Sequence, residues 1–214
     1  MKVNNQKTQL LCIHANKISS VKTYIKTDTG EIESTDTLRI LGFDFNNIPS
    51  ATHHVMGVID RLYNKLWTLR FLKKSGMDQQ NLFKVYISII RPSVEYCAEV
   101  YDSLIPKYVV DRLESVQRQA CKIIFGWGVD YSELVEEGKV QTLASRRRQA
   151  CINFAMKALV SPTFGEKWFP RNMVTRNARE STRRVFVERR TKTERARSNP
   201  IDHMIRLLNE QMST

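Results

Sequence analysis

The sequence predicts a mainly α chain with a small N-terminal antiparallel β meander, then a helical bundle, then a basic, partly disordered tail. Strand-like runs with turn residues between them occupy only the first 45 residues. Beyond them, apolar side chains recur at three- and four-residue steps. The third observation is charge. The chain of 214 residues carries +12 at neutral pH, and the whole excess falls within residues 139–197 while the remainder is electroneutral.

The elements come in order along the chain. KTQLLCIHA and SVKTYIK read as strands, DTGE as a turn with Gly30 free to take positive φ, and TLRILGFDF as a third strand. Three short strands cannot bury themselves and need a helical layer or a larger sheet. The first helix carries Val55, Val58, Ile59, Leu62, Leu66 and Leu69 on one face and ends at Ser75-Gly76. Asp78 caps the second, with Leu82, Val85, Tyr86 and Ile89 facing inward. Pro92 is expected to kink or break it, with VEYCAEVYDS continuing as helix. A third helix after Pro106 presents Val109, Leu113, Val116, Ala120 and Ile124 and stops at Gly126.

Two further helices are expected. Asp130 caps YSELVEE, and Thr142 caps LASRRRQACINFAMKAL with Leu143, Ala150, Phe154 and Ala158 inward. SPTFGEKWFP reads as an aromatic loop. Residues 171–200, poor in large apolar side chains and rich in arginine, read as extended or disordered until bound. A last amphipathic helix offers Ile201, Met204, Ile205 and Leu208 as a docking face. The divisions are 1–48, 49–128, 129–170 and 171–214.

Composition narrows the function classes. A pI near 9.7 fits a nucleic-acid footprint. Cys12, Cys97, Cys121 and Cys151 are widely spaced, without a CxxC pair, and read as reduced thiols of an intracellular protein, in cytoplasm or nucleus, not as a disulfide frame or zinc site. No apolar run approaches the roughly 18 residues of a membrane span, so no membrane partner is expected. His53 and His54 are adjacent, which on a helix turns them about 100° apart. His14 and His203 read as isolated. Glu95 and Glu99 lie one helical turn apart and read as solvent-facing acids. The sequence has no Gly-rich phosphate loop, nucleophile elbow or HExxH.

Taken in order, the segments resemble the distal half of non-LTR retrotransposon reverse transcriptases of the jockey-like and related lineages. NNQKTQLLCI is similar to the segment that follows the catalytic palm motif, and LRILGFDF to the primer-grip turn. ATHHVMGVIDRLYNKLWTLRFL, LFKVYISIIRPSVEYCAEVY and VDRLESVQRQACKIIFG resemble thumb helices. LASRRRQACINFAMKAL, FGEKWFP and RTKTERARSNPIDHMIRLLNE resemble the tail. The resemblance covers nearly the whole chain. It implies a palm remnant over 1–48, a thumb-like bundle over 49–128, C-terminal helices over 129–170 and a basic tail over 171–214. Template–primer binding would fall to the thumb.

The resemblance also places a primer-positioning turn at Leu41, Gly42 and Phe43, and Lys7 near an incoming triphosphate. The intact family enzymes polymerise with Mg2+ ions held by clustered carboxylates. This sequence has no Asp-Asp pair, and Asp44 between Phe43 and Phe45 is a lone carboxylate. No cofactor is expected in this piece, and no polymerisation by it alone. The missing palm and fingers, expected before residue 1, are candidate partners.

RNA or DNA, bound without sequence preference, is the other expected partner. Its candidate contacts are Arg146, Arg147, Arg148, Arg183, Arg184, Arg189, Arg190 and Lys192, with a solvated helix face as the other reading of the first three. Trp127, Trp168 and Phe169 are candidates to stack on unpaired bases, with a core or loop-anchor role open for each. A domesticated nucleic-acid-binding module and a helical protein-interaction module that uses the C-terminal helix stand as alternatives.

Overall fold

The computed structural model describes residues 7–13, 22–27, 30–48, 50–172 and 185–212. It is mainly helical with a small N-terminal β region, as the patterning predicts. The strands are β1 (Leu10–Leu11), β2 (Tyr24–Thr27), β3 (Gly30–Thr35), β4 (Thr37–Ile40) and β5 (Phe43–Asn46). The β region is not a simple antiparallel meander. β2 and β3 pair antiparallel, but β1 joins the far edge of β3 in parallel, giving the order β1-β3-β2. TLRILGFDF is not one strand but the hairpin β4–β5, in which Ile40 faces Phe43 across the two-residue turn Leu41-Gly42.

Helix α1 (Thr52–Lys74) buries Val55, Ile59, Leu62, Leu66 and Leu69, the predicted stripe apart from Val58, which is partly buried. Asp78 caps α2 (Gln79–Val85) by accepting from the Asn81 N–H at 2.7 Å. The helix then widens into a π-turn, Tyr86–Ile90, and continues as α3 (Arg91–Glu95). Pro92 thus falls in the opening turn of α3, where a missing N–H leaves no helical bond unmade. The break comes later. Tyr96 is extended and Cys97 takes φ 56°, so VEYCAEVYDS is interrupted before α4 (Ala98–Tyr101) and the 3-10 turn Asp102–Leu104.

Helix α5 (Lys107–Phe125) packs along α1, and the two share the main core. A buried polar chain ties α5 to the next two helices. Tyr86 Oη donates to Gln117 Oε1 at 2.5 Å, and Gln117 Nε2 donates to the Gln141 carbonyl and the Tyr131 hydroxyl. Tyr131 in turn donates to Glu114, which also accepts from the Leu143 N–H. Together these bonds fix the register of α6 (Tyr131–Glu136) and α7 (Leu143–Val160) on α5, with Glu114 Oε2 left buried and without a hydrogen-bond partner. Both predicted caps form, Asp130 to Ser132 and Thr142 to Ser145.

The C-terminal part has a second core. It joins the far half of α7, Phe169 after α8 (Gly165–Trp168), Phe186, and α10 (Pro200–Met212), which follows α9 (Glu194–Arg197). Three expectations change here. Phe154 is 40% exposed, because the buried stripe of α7 runs Leu143, Arg147, Cys151, Ala155, Ala158 and passes through an arginine. Phe186 is not in a free extended tail. It bridges to Arg171 and packs edge-on to Phe169, and its N–H and carbonyl both bond the Asn209 side chain. The α10 face of Met204, Ile205 and Leu208 is buried within the chain itself. No helix among the described residues is long and apolar enough to cross a membrane.

Candidate nucleic-acid interface

The hairpin turn places a leucine, a residue that rarely takes positive φ, beside a glycine that takes it freely. Leu41 and Gly42 have φ 49° and 86°, the two positive values of a type I′ turn. The Tyr96 hydroxyl, from the break after α3, donates to the Leu41 carbonyl and locks the turn against the bundle. Leu41 stands 87% exposed at the tip. Phe43 does not share that position. It is buried on the main core with its ring 4.3 Å from the His54 imidazole, so it supports the turn and contacts no ligand. Lys7 is exposed in a turn just before β1.

Asp44 does not fit the Mg2+ pair of an intact polymerase. It is the lone acid of its strand, and its two oxygens already face Arg39 at 3.7 Å and His54 at 3.2 Å. A pair of hard cations between substrate phosphates needs clustered, unneutralised oxygens.

The three consecutive arginines of α7 point in three directions, and each meets a carboxylate. Arg146 bonds Glu95, which Arg91 also approaches at 3.3 Å, so Glu95 is an ion-pair acceptor and not a solvent-facing acid. Arg148 reaches Glu210 of α10 at 2.5 Å. Arg147 is 1% exposed and its Nε donates to Asp102 Oδ1 at 2.9 Å. Arg147 is therefore a core residue and not a phosphate contact. Adjacent residues on a helix diverge by about 100°, so one run supplies three separate partners.

Positive charge that is less fully paired gathers further on. Arg189, Arg190, Arg197 and Arg206 line a cleft of about 320 Å3 with Glu188 and Thr191, where the strand after Phe186 meets α9 and α10. Arg189 lies 3.8 Å from Asp202, and Arg206 donates to the Arg197 carbonyl. Glu188 accepts from Asn209. Among the described residues no carboxylate pairs with Arg190, Arg197 or Arg206. Sequence patterning points to Arg189 and Arg190 and misses Arg197 and Arg206, whose place on the same cleft depends on how α9 and α10 fold back. Lys192 is exposed nearby in sequence, while Arg183 and Arg184 lie outside the described residues.

The aromatic candidates separate by burial. Trp127 is 79% exposed with the Lys122 ammonium 5.8 Å from its ring, Trp168 is half-buried against Phe164, and Phe169 is core. A second exposed pair, Trp67 and Phe71, stacks on the outer face of α1 at 5.4 Å. Neither residue falls on the apolar stripe that the sequence pattern of α1 picks out.

One more constellation contradicts the reading of His203 as isolated. Its Nε2 is 3.4 Å from Asp102 Oδ2, and Cys151 Sγ completes a group whose ligand-type atoms all lie within 4.8 Å of one another. Burial pushes the Asp102 carboxyl up, but the contacts with His203 and Arg147 outweigh it and hold the group below the usual carboxylate range. Burial and the nearby charges of Asp102 and Glu99 push the Cys151 thiol up to about 12.

Compared with family models, curated proteins and solved structures, the chain matches none.

Proposed function

We propose that this chain is the thumb-and-tail portion of a retrotransposon RNA-directed DNA polymerase, inactive as a polymerase alone, whose retained activity is sequence-independent binding of nucleic acid. The arginine-lined cleft of Arg189, Arg190, Arg197 and Arg206 carries this reading. Guanidinium groups present planar donor forks that match phosphate oxygens, and neutralising phosphates releases condensed counterions. Trp127, exposed beside Lys122, supplies a platform on which an unpaired base would stack, worth ~1–3 kcal/mol. The absence of an Asp-Asp pair, and an Asp44 already held by Arg39 and His54, support binding without chemistry.

The alternative of a helical protein-interaction module, whose partner would cover the open β edge and use the C-terminal helix, is left with the β edge, since the apolar face of α10 packs on α7. A domesticated binding module would use the same cleft.

Fluorescence anisotropy with a labelled single-stranded oligonucleotide, titrated across several salt concentrations, tests the reading. Micromolar binding that weakens steeply with salt is expected. The double variant Arg190→Gln, Arg197→Gln should lower the slope of log affinity against log salt by about two, since each lost phosphate contact removes about one. Binding indifferent to salt, or a slope unchanged in the variant, refutes it.

A further inference from the structure

The Asp102–Cys151–His203 constellation is the feature that nucleic-acid binding does not use. Its three members come from the 3-10 turn after α4, the middle of α7 and the first turns of α10, which meet only through the tertiary fold. We propose that they form a transition-metal site, selective for Zn2+ over Mg2+, that fastens the terminal helix to the bundle.

The donor set is a thiolate, an imidazole and a carboxylate, the combination that suits a borderline-soft ion and not a hard one. Mutual separations within 4.8 Å allow all three to reach one ion with modest closure. The imidazole Nε2 is buried, with only the 3.4 Å approach of Asp102 Oδ2 beside it, and with the ring proton on Nδ1 its lone pair would face the centre of the group. Arg147 holds the other oxygen of Asp102, Oδ1, in the way an outer-shell donor orients a ligating carboxylate.

A guanidinium beside a divalent cation needs compensating charge, and the site has it. On binding, Cys151 loses its proton to solvent as the Zn–S bond forms. The resulting thiolate and the Asp102 and Glu99 carboxylates then balance the ion and Arg147. Glu99 is close enough for its charge to act on Cys151. Coordination deprotonates a thiol outright. The His203 side chain is about a quarter exposed although its Nε2 is buried, so an ion would enter past the edge of that ring.

The test uses the full chain, reduced and stripped with chelator, titrated with Co2+ as a spectroscopic substitute for Zn2+. Expected are one equivalent bound, tetrahedral ligand-field bands and a thiolate-to-cobalt charge-transfer band, all displaced by Zn2+ and not by Mg2+. The band should persist in the variant Cys12→Ala, Cys97→Ala, Cys121→Ala, where Cys151 is the only thiol. It should vanish in Cys151→Ala, and His203→Gln should weaken binding at least about 100-fold. A wild-type chain without the charge-transfer band overturns the proposal. So does a band that disappears from the variant retaining only Cys151. Should Cys151→Ala not fold, His203→Gln and the single-thiol variant decide.

Discussion

At the scale of single residues, Arg147 anchors the middle of α7, buried on Asp102 while Arg146 and Arg148 reach outward to Glu95 and Glu210. A charged residue in a run of three nonetheless reads as surface in the sequence. That one assignment also displaced another. Excluding arginine from the core stripe of α7 rotates the apparent inner face toward Ala150 and Phe154, and Phe154 proves exposed. Binary patterning has no means to anticipate a buried ion pair, because the partner is 45 residues away. The pair sets a prediction. Arg147→Ala leaves the partly buried Asp102 carboxylate with His203 as its remaining partner, and removing one member of a buried pair costs about 3–5 kcal/mol. Urea denaturation should show the midpoint fall with an unchanged slope; a loss under about 1 kcal/mol would contradict this account.

At the scale of elements, helix stripes and caps were legible, and the break between α3 and α4 was not. The stripes of α1 and α5 and the caps of Asp78, Asp130 and Thr142 are local in sequence, so the pattern carries them. Pro92 drew attention because proline interrupts helices, but the π-turn before it places it where a helix tolerates proline. The reversal sits at Cys97, in the left-handed region that L-residues occupy at a cost of roughly 1–2 kcal/mol. Cys97→Gly should therefore be tolerated or stabilising in thermal unfolding. Cys97→Val, β-branched and intolerant of positive φ, should lower Tm clearly. Equal effects of the two substitutions would mean that side-chain packing, not backbone conformation, governs the site. The parallel pairing of β1 with β3 was illegible for a related reason: register between non-adjacent strands leaves no local mark.

At the scale of the whole molecule, two cores share one helix. The near half of α7 belongs to the bundle and the far half to the C-terminal core, so α7 transmits stability between them. The sequence showed the partition by charge but suggested a loose stretch over 171–200, whose few large apolar residues stand among many arginines. Phe186 and α10 become core only when brought onto Phe169 and Cys151. Deleting residues 200–214 would uncover Ile152, Ala155 and Phe186 together. Such a chain should bind a hydrophobic dye strongly and expose Cys151 to alkylation. A truncated protein that stays dye-silent with a protected Cys151 would show the second core to be dispensable.

The bridge between Arg171 and Phe186 has a consequence for how solvent reaches the second core. The Asn172 and Val187 N–H groups donate across it to the Val185 and Pro170 carbonyls, and the Phe186 N–H donates to Asn209. Each of these amides exchanges with deuterium only when its bond opens, so their protection reads the opening free energy of the C-terminal core separately from that of the bundle.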